Sequence, residues 1–282
     1  MIYNPPVRQT LIVLVGLILA TRLSAQPGGA ARAVILERAG RYVEHYYERA
    51  RAILSRETVR LQRLDATLRP EDTGRVLIYE LRIESAPDGA LPSMTRRRLE
   101  AGGRLLETAA EGECFDPPDA TVEPLAMLLP NRQKEFVFTV REVERGRVTV
   151  LDFVPVSRMP PTVTWRGACG NVDVNGSTRG RVWIESATGA VLRLEERLDK
   201  PFQFVLPANV LANSGPVSQT VDRFETSIRY EPVTFRDPDE TLLLPKSART
   251  FTVIANGGVP RLLTLQSFDK YQRFVTGGRV VK

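Results

Sequence analysis

The 282-residue chain holds one histidine, two cysteines and two tryptophans, and each scarcity closes off a class of chemistry. A multi-histidine metal site cannot be built from His45 alone, and no HExxH helix occurs. A histidine general base exists only at that position, between Glu44 and two tyrosines, and no adjacent sequence marks a nucleophile elbow or a matching acid. His45 therefore reads as a partly exposed helix residue. Cys114 and Cys169 lie too far apart for CxxC redox chemistry. AGGR at Ala101–Arg104 and NGGV at Asn256–Val259 lack the lysine and the spacing of a phosphate loop, so their glycines read as hairpin punctuation. The acidic stretch with Asp237, Asp239 and Glu240, and the stretch with Asp173 and Asn175, lack the glycine arrangement of a twelve-residue calcium loop. No block of like charge resembles a nucleic-acid-binding arm, and the aromatics do not interleave with bases. These exclusions predict no metal, no cofactor and no catalytic residue. A hydrolase built from carboxylates distant in sequence is the remote alternative.

Long apolar runs are also scarce. The one that stands out, Leu11 to Ala20, follows the basic Arg8 and precedes a short polar tail. Ten residues make about 15 Å of helix against a hydrocarbon core of roughly 30 Å, so the run fits a cleavable export signal better than a membrane span. Residues 1–25 are expected to be removed after Ala25, leaving 26–282 as one periplasmic or secreted domain, long enough to bury a real core. The net charge of +6 is spread among alternating acids and bases, a mildly basic solvated surface. The local cluster Arg96, Arg97 and Arg98 reads as solvated, with contact to anionic lipid or a partner as the minority reading. An even cysteine count in an exported chain admits one pairing, Cys114 with Cys169, worth about 2–5 kcal/mol if the bond forms.

What the sequence has in abundance is periodicity. From Ala31 to about Glu57, Ile35, Ala39, Tyr42, Val43, Tyr46, Ala50, Ile53 and Leu54 recur at threes and fours opposite a charged face, predicting one long amphipathic helix. The period then becomes two. About ten alternating runs, many separated by two to five residues, predict an antiparallel meander and leave too little helix for parallel crossovers. Thr121 to Gln133 reads as a short central helix or lid, and 206–216 as the longest loop. Asn175, Gly176 and Ser177 read as a turn rather than a glycosylation site. The predicted fold class is α+β: a curved antiparallel β-sheet or incomplete β-barrel with a long N-terminal helix and a short central helix.

Several strands begin apolar on both faces, among them Val76–Tyr79, Phe136–Phe138, Val150–Phe153 and Val182–Ile184. A flat sheet with one wet face predicts a cleaner division; a helix-covered or cavity-enclosing sheet, or a sandwich, explains the mixture. The aromatic residues in and around these segments, Tyr42, Tyr46, Tyr79, Phe136, Phe138, Phe153, Trp165 and Trp183, are the candidate lining of a concavity, with core packing as the competing reading. In GRVWIESATGAVLRLEERL, Gly180 to Leu198, alternation puts Val182 and Ile184 on one face with Leu192 and Leu194, and Trp183 on the other.

This hairpin, with the later RTFTVIANGGVPRLLTLQSFDKYQRF and the order of elements, resembles the periplasmic lipoprotein-carrier superfamily, which includes outer-membrane lipoprotein-sorting proteins and related sigma-factor regulatory domains. The resemblance covers most of Ala31 to Lys282 and implies an incomplete barrel whose apolar concave face accepts an acyl chain or another hydrophobic partner. No lipid-binding residue of the family transfers to a matching position here. The expected partner is a lipid or lipidated protein, with 121–133 and 206–216 as its movable cover and with peripheral membrane contact open. A solid-cored module that binds another envelope protein is the second expectation.

Overall fold

The computed structural model describes residues 27–50, 52–84, 93–99, 120–122, 124–157, 161–166, 169–173, 178–205, 218–236, 238–255, 261–275 and 279–281. The export segment, the 206–216 loop and the Asn175–Ser177 turn lie outside them. Helix α1 (Pro27–Ala50) leads into β1 (Ile53–Leu64), β2 (Arg75–Glu84), β3 (Ser93–Leu99) and β4 (Ala120–Val122). Two 3-10 turns, Pro124–Leu128 and Gln133–Glu135, precede β5 (Phe136–Glu144), β6 (Val148–Pro155), β7 (Thr162–Arg166), β8 (Cys169–Asp173) and β9 (Thr178–Glu185). The chain continues through β10 (Val191–Leu198), β11 (Phe202–Val205), β12 (Ser218–Arg236), β13 (Asp239–Ala255), β14 (Arg261–Val275) and β15 (Arg279–Val281).

The α+β expectation holds. One antiparallel sheet of 13 strands runs β4-β3-β2-β1-β14-β13-β12-β10-β9-β6-β5, with β11 alongside β12 and β15 alongside β14; β7 and β8 form a separate ribbon. The sheet is open, since β4 and β5 at its ends do not pair with each other. The order is nearly that of a meander, and one contact alone is far from local: β1 pairs with β14 from Ile53↔Arg273 to Leu64↔Arg261.

The helix is shorter than its apolar stripe suggests. Ile53 and Leu54 continue the helical period, but they equally open the alternation of β1, whose odd positions from Ile53 to Leu61 are all buried. Cross-strand pairing with β14 and β2 settles them in the strand. Helix α1 crosses the sheet strand by strand. Arg32 Nη1 donates to Phe138 O of β5 (3.2 Å), Arg38 Nη1 to Ser186 O in the β9–β10 turn (2.6 Å), and His45 and Arg49 reach Glu240 of β13. A 24-residue helix is about 36 Å long, and the seven strand spacings from β5 to β1 come to about 34 Å, so one helix serves the row. At Gly189, φ is +83°, and a Cβ there would stand 2.4 Å from the Arg38 carbonyl carbon; glycine lets the turn lie against the helix backbone.

The expected central helix is two 3-10 turns, interrupted where Pro130 and its neighbours end the first, and it is core rather than cover. Leu125, Ala126, Met127 and Leu128 are buried with α1, and Gln133 Nε2 ties the segment to Leu36 O and Leu128 O (2.8 Å each). The Cys114–Cys169 bridge is a second correction. No disulfide is found among the described residues; Cys114 lies outside them, and Cys169 contributes its backbone to β8.

Candidate functional site

Strand register fixes which side chains share the face that α1 crosses. One row runs Leu151, Val182, Leu194, Ile228, Ala248, Gln266, Val59 and Leu77, each opposite the next. The next row runs Phe153, Gly180, Glu196, Thr226, Thr250, Thr264 and Leu61. The first row is apolar apart from Gln266. The second is polar in its middle, with Thr226 and Thr250 hydroxyls 3.1 Å apart and Thr178 donating to Glu196. Gly180 is required by a close approach: a Cβ there would meet Glu195 O at 2.0 Å and the Phe153 ring at 2.5 Å.

One rung from Val59, on the side of the first row away from the second, sits a buried charge. Glu57 of β1 has no exposed side-chain surface, and Arg96 of β3 has 5%. Arg96 donates from Nε to Glu57 Oε2 at 2.6 Å and from Nη2 to Oε1 at 3.2 Å, while Gln266 Nε2 donates to Oε1 at 2.7 Å. Two-pronged guanidinium–carboxylate geometry and a third donor satisfy the carboxylate where water is excluded. Arg96 is therefore not the solvated residue expected from its cluster. Nearby, Tyr271 donates its hydroxyl to Pro245 O, and burial together with the negative charges of Glu57 and Asp269 pushes its phenol far above the ordinary range.

A second cluster ties the C-terminal end of α1 to the sheet. Glu240 Oε2 accepts from Arg273 Nη2 at 2.5 Å, Arg49 Nε and His45 Nε2 stand 3.4 Å and 3.5 Å from its Oε1, and the Arg273 guanidinium lies 4.4 Å from the Phe235 ring centroid. Arg49, in the last turn of α1, also complements the helix dipole. Tyr42, one turn earlier, has its pKa raised to about 12, chiefly by burial and further by Glu185, against a hydrogen bond with the Leu243 backbone.

The aromatic residues named from the sequence divide among several places. Phe136, Phe138 and Phe153 form one triad with centroids 6.0–6.4 Å apart, and Tyr42 and Tyr46 of α1 belong to the same core. Tyr79 belongs to a separate cluster with Val59, Leu61, Leu77 and Leu262 that contains no α1 residue. Trp183 is on the outer face, opposite Val150, with Arg193 at 4.7 Å and Arg181 at 5.5 Å from its ring and its Nε1 donating to Glu144 (3.2 Å). Trp165 stands on β7, and its side chain lies outside the description. In the β9–β10 hairpin Val191, not Leu192, shares the buried face, because a bulge shifts the register between Val191 and Arg193.

Glu57, Gln266, Glu240 and Arg273 were not singled out as site residues. The sequence carries a signal for Glu57: in ILSRETVRL it takes the same parity as Ile53, Val59 and Leu61, a charge on the apolar side of a strand. Among the described residues no cluster of histidine, cysteine and acidic side chains is placed to hold a metal, and no helix is long and apolar enough to cross a membrane. Compared with family models, curated proteins and solved structures, the chain finds no match in any of the three.

Proposed function

We propose that the protein is a noncatalytic component of the cell envelope that binds a hydrophobic ligand, or a partner carrying one, on the helix-bearing face of its open sheet. One observation carries this reading: that face holds a second apolar cluster, Val59, Leu61, Leu77, Tyr79 and Leu262, which α1 does not join, beside the Glu57–Arg96 pair and the threonine row. Val59, Leu61, Leu77 and Tyr79 are buried and Leu262 partly so, and apolar side chains next to fixed polar groups suit an acyl chain with a polar end. Each buried methylene contributes about 0.8 kcal/mol before ordering costs, so affinity needs no covalent step. The resemblance to lipoprotein carriers and the expected export signal agree with this reading.

The test is binding of N-phenyl-1-naphthylamine by the purified protein, with native mass spectrometry for lipid retained from expression. Leu262→Trp, which fills the second cluster, is expected to abolish the fluorescence gain. Trp183→Phe, on the outer face, should leave it unchanged. Absence of both probe binding and retained lipid overturns the reading. It would favour instead a protein-interaction module using the terminal strand β5, where Val137 and Val143 are each 53% exposed.

A further inference from the structure

We infer that the outer face of the sheet, opposite α1, carries a docking surface for an anionic phospholipid bilayer. Strand register defines it as two adjacent rows. One runs Arg229, Ser247, Ser267 and Thr58, and the next runs Ser227, Arg249, Leu265 and Arg60, each residue opposite its neighbour across β12, β13, β14 and β1. Arg229 faces Arg193, which faces Trp183, so both rows lie on the tryptophan's side. Three strand spacings by one side-chain repeat make a patch about 14 Å by 7 Å. It holds three arginines, four hydroxyls and one leucine, and no carboxylate. Arg60, Arg229, Arg249 and Ser267 are exposed, and no residue of either row is buried.

Around the patch the same face pairs its charges. Arg181 and Arg141 meet Asp152 at 3.0 Å and 3.2 Å, Arg223 meets Glu225 at 2.8 Å, Arg56 meets Asp269 at 3.6 Å, and Arg193 is held by Glu195. Inside it the pattern stops. Arg60 donates to the Thr73 carbonyl at 2.8 Å, and among the described residues no acid is bonded to Arg229 or Arg249. Arg229 stands directly opposite Arg193, with Arg249 as its diagonal neighbour on the other flank. Like charges so placed destabilise the free protein. An acid at 227 or 247 would relieve them, and the chain has serine at both, which leaves the positive charge for a partner.

The chemistry of the patch and its border identifies that partner. Guanidinium forks and hydroxyl donors both fit the oxygens of a phosphodiester. On β2, Ile78 stands opposite Thr58 and Val76 opposite Arg60, so apolar side chains continue both rows, and Val76 is 46% exposed. Basic groups at the level of the headgroups, with apolar ones beside them reaching the acyl boundary, make an interfacial surface. A soluble polyanion has no use for the valine. Because the patch lies on the face away from α1, the inference does not depend on the hydrophobic-ligand reading.

Co-sedimentation of the full chain with sucrose-loaded vesicles tests it, comparing phosphatidylglycerol mixed into phosphatidylcholine with phosphatidylcholine alone. The ratio of the two partition coefficients isolates the charge-dependent part from any contribution of the apolar run Leu11 to Ala20. It is expected to reach at least about 100, and Arg60→Gln, Arg229→Gln and Arg249→Gln together should lower it about 100-fold, about fivefold for each arginine. Arg60→Lys, Arg229→Lys and Arg249→Lys together should keep it within about threefold of the original. The same holds for Arg41→Gln, Lys134→Gln and Lys200→Gln, which remove equal charge beyond the screening length of the patch. Val76→Ser should lower partition onto the anionic vesicles about threefold and leave binding to heparin unchanged. A ratio near 1, a triple glutamine variant that binds as before, or an equal loss in the charge-matched control overturns the inference. So does heparin binding that follows the arginines while Val76→Ser leaves vesicle binding unaltered, the result a soluble polyanion site would give.

Discussion

Replacing Arg96 by methionine isolates what the buried pair contributes. The variant keeps the aliphatic length of the side chain and leaves Glu57, with no exposed side-chain surface, holding one donor, Gln266 Nε2 at 2.7 Å, in place of three. Removing one partner of a buried pair typically destabilises by about 3–5 kcal/mol, because the remaining charge keeps its desolvation penalty. For a domain of this size that corresponds to a fall in Tm of about 6–20 °C. Urea unfolding followed by far-ultraviolet circular dichroism measures the free energy directly, and unchanged m values would show that the unfolded state is not responsible. The triple variant Glu57→Leu, Arg96→Met, Gln266→Leu removes all three polar groups together and is expected to be more stable than Arg96→Met alone. A loss below 1 kcal/mol for the single variant, or a triple variant less stable than the single, refutes the reasoning.

The hairpin and the helix give two further tests. Gly180→Ala forces a methyl against the Glu195 carbonyl and the Phe153 ring and should destabilise by about 3 kcal/mol; a smaller variant of the ring, Phe153→Leu, should not restore stability, since the backbone contact at 2.0 Å remains, and thermal melts decide it. Tyr42 is protonated to a higher pH in the folded chain than in the unfolded one. Its contribution is complete below the ordinary tyrosine pKa near 10 and is lost as pH rises toward about 12, so Tyr42→Phe should flatten the fall in Tm over that window. An unchanged alkaline slope would show that Tyr42 does not set it.

Elements formed by local periodicity were readable from the sequence: the α1 stripe, the succession of hairpins, and the face on which Trp183 stands relative to Val182 and Ile184. Where two templates fit the same residues, as at Ile53 and Leu54, pairing with distant strands decided between them. The bulge at Leu192 was not visible for the same reason, since a bulge is a relation between strands and leaves little mark in either one. Glu57 was visible as an oddity of parity, but its partner was not: Arg96 sits in a run of three arginines, and only the register of β3 on β2, with Leu81 opposite Arg96, turns that one inward.

The pairing of β1 with β14 sets a timetable for the molecule. During synthesis β1 meets β2 almost at once, yet its other flank waits for residues 261–273, roughly 200 positions later, which at ordinary elongation rates is about 10–40 s. Through that interval the future middle of the sheet is a raw border, open to pairing with any neighbouring chain. Joining of the two halves of the sheet is consequently a late event in the life of the nascent polypeptide, and whatever holds the unfinished chain apart from its copies matters as much to its yield as the strength of the finished core.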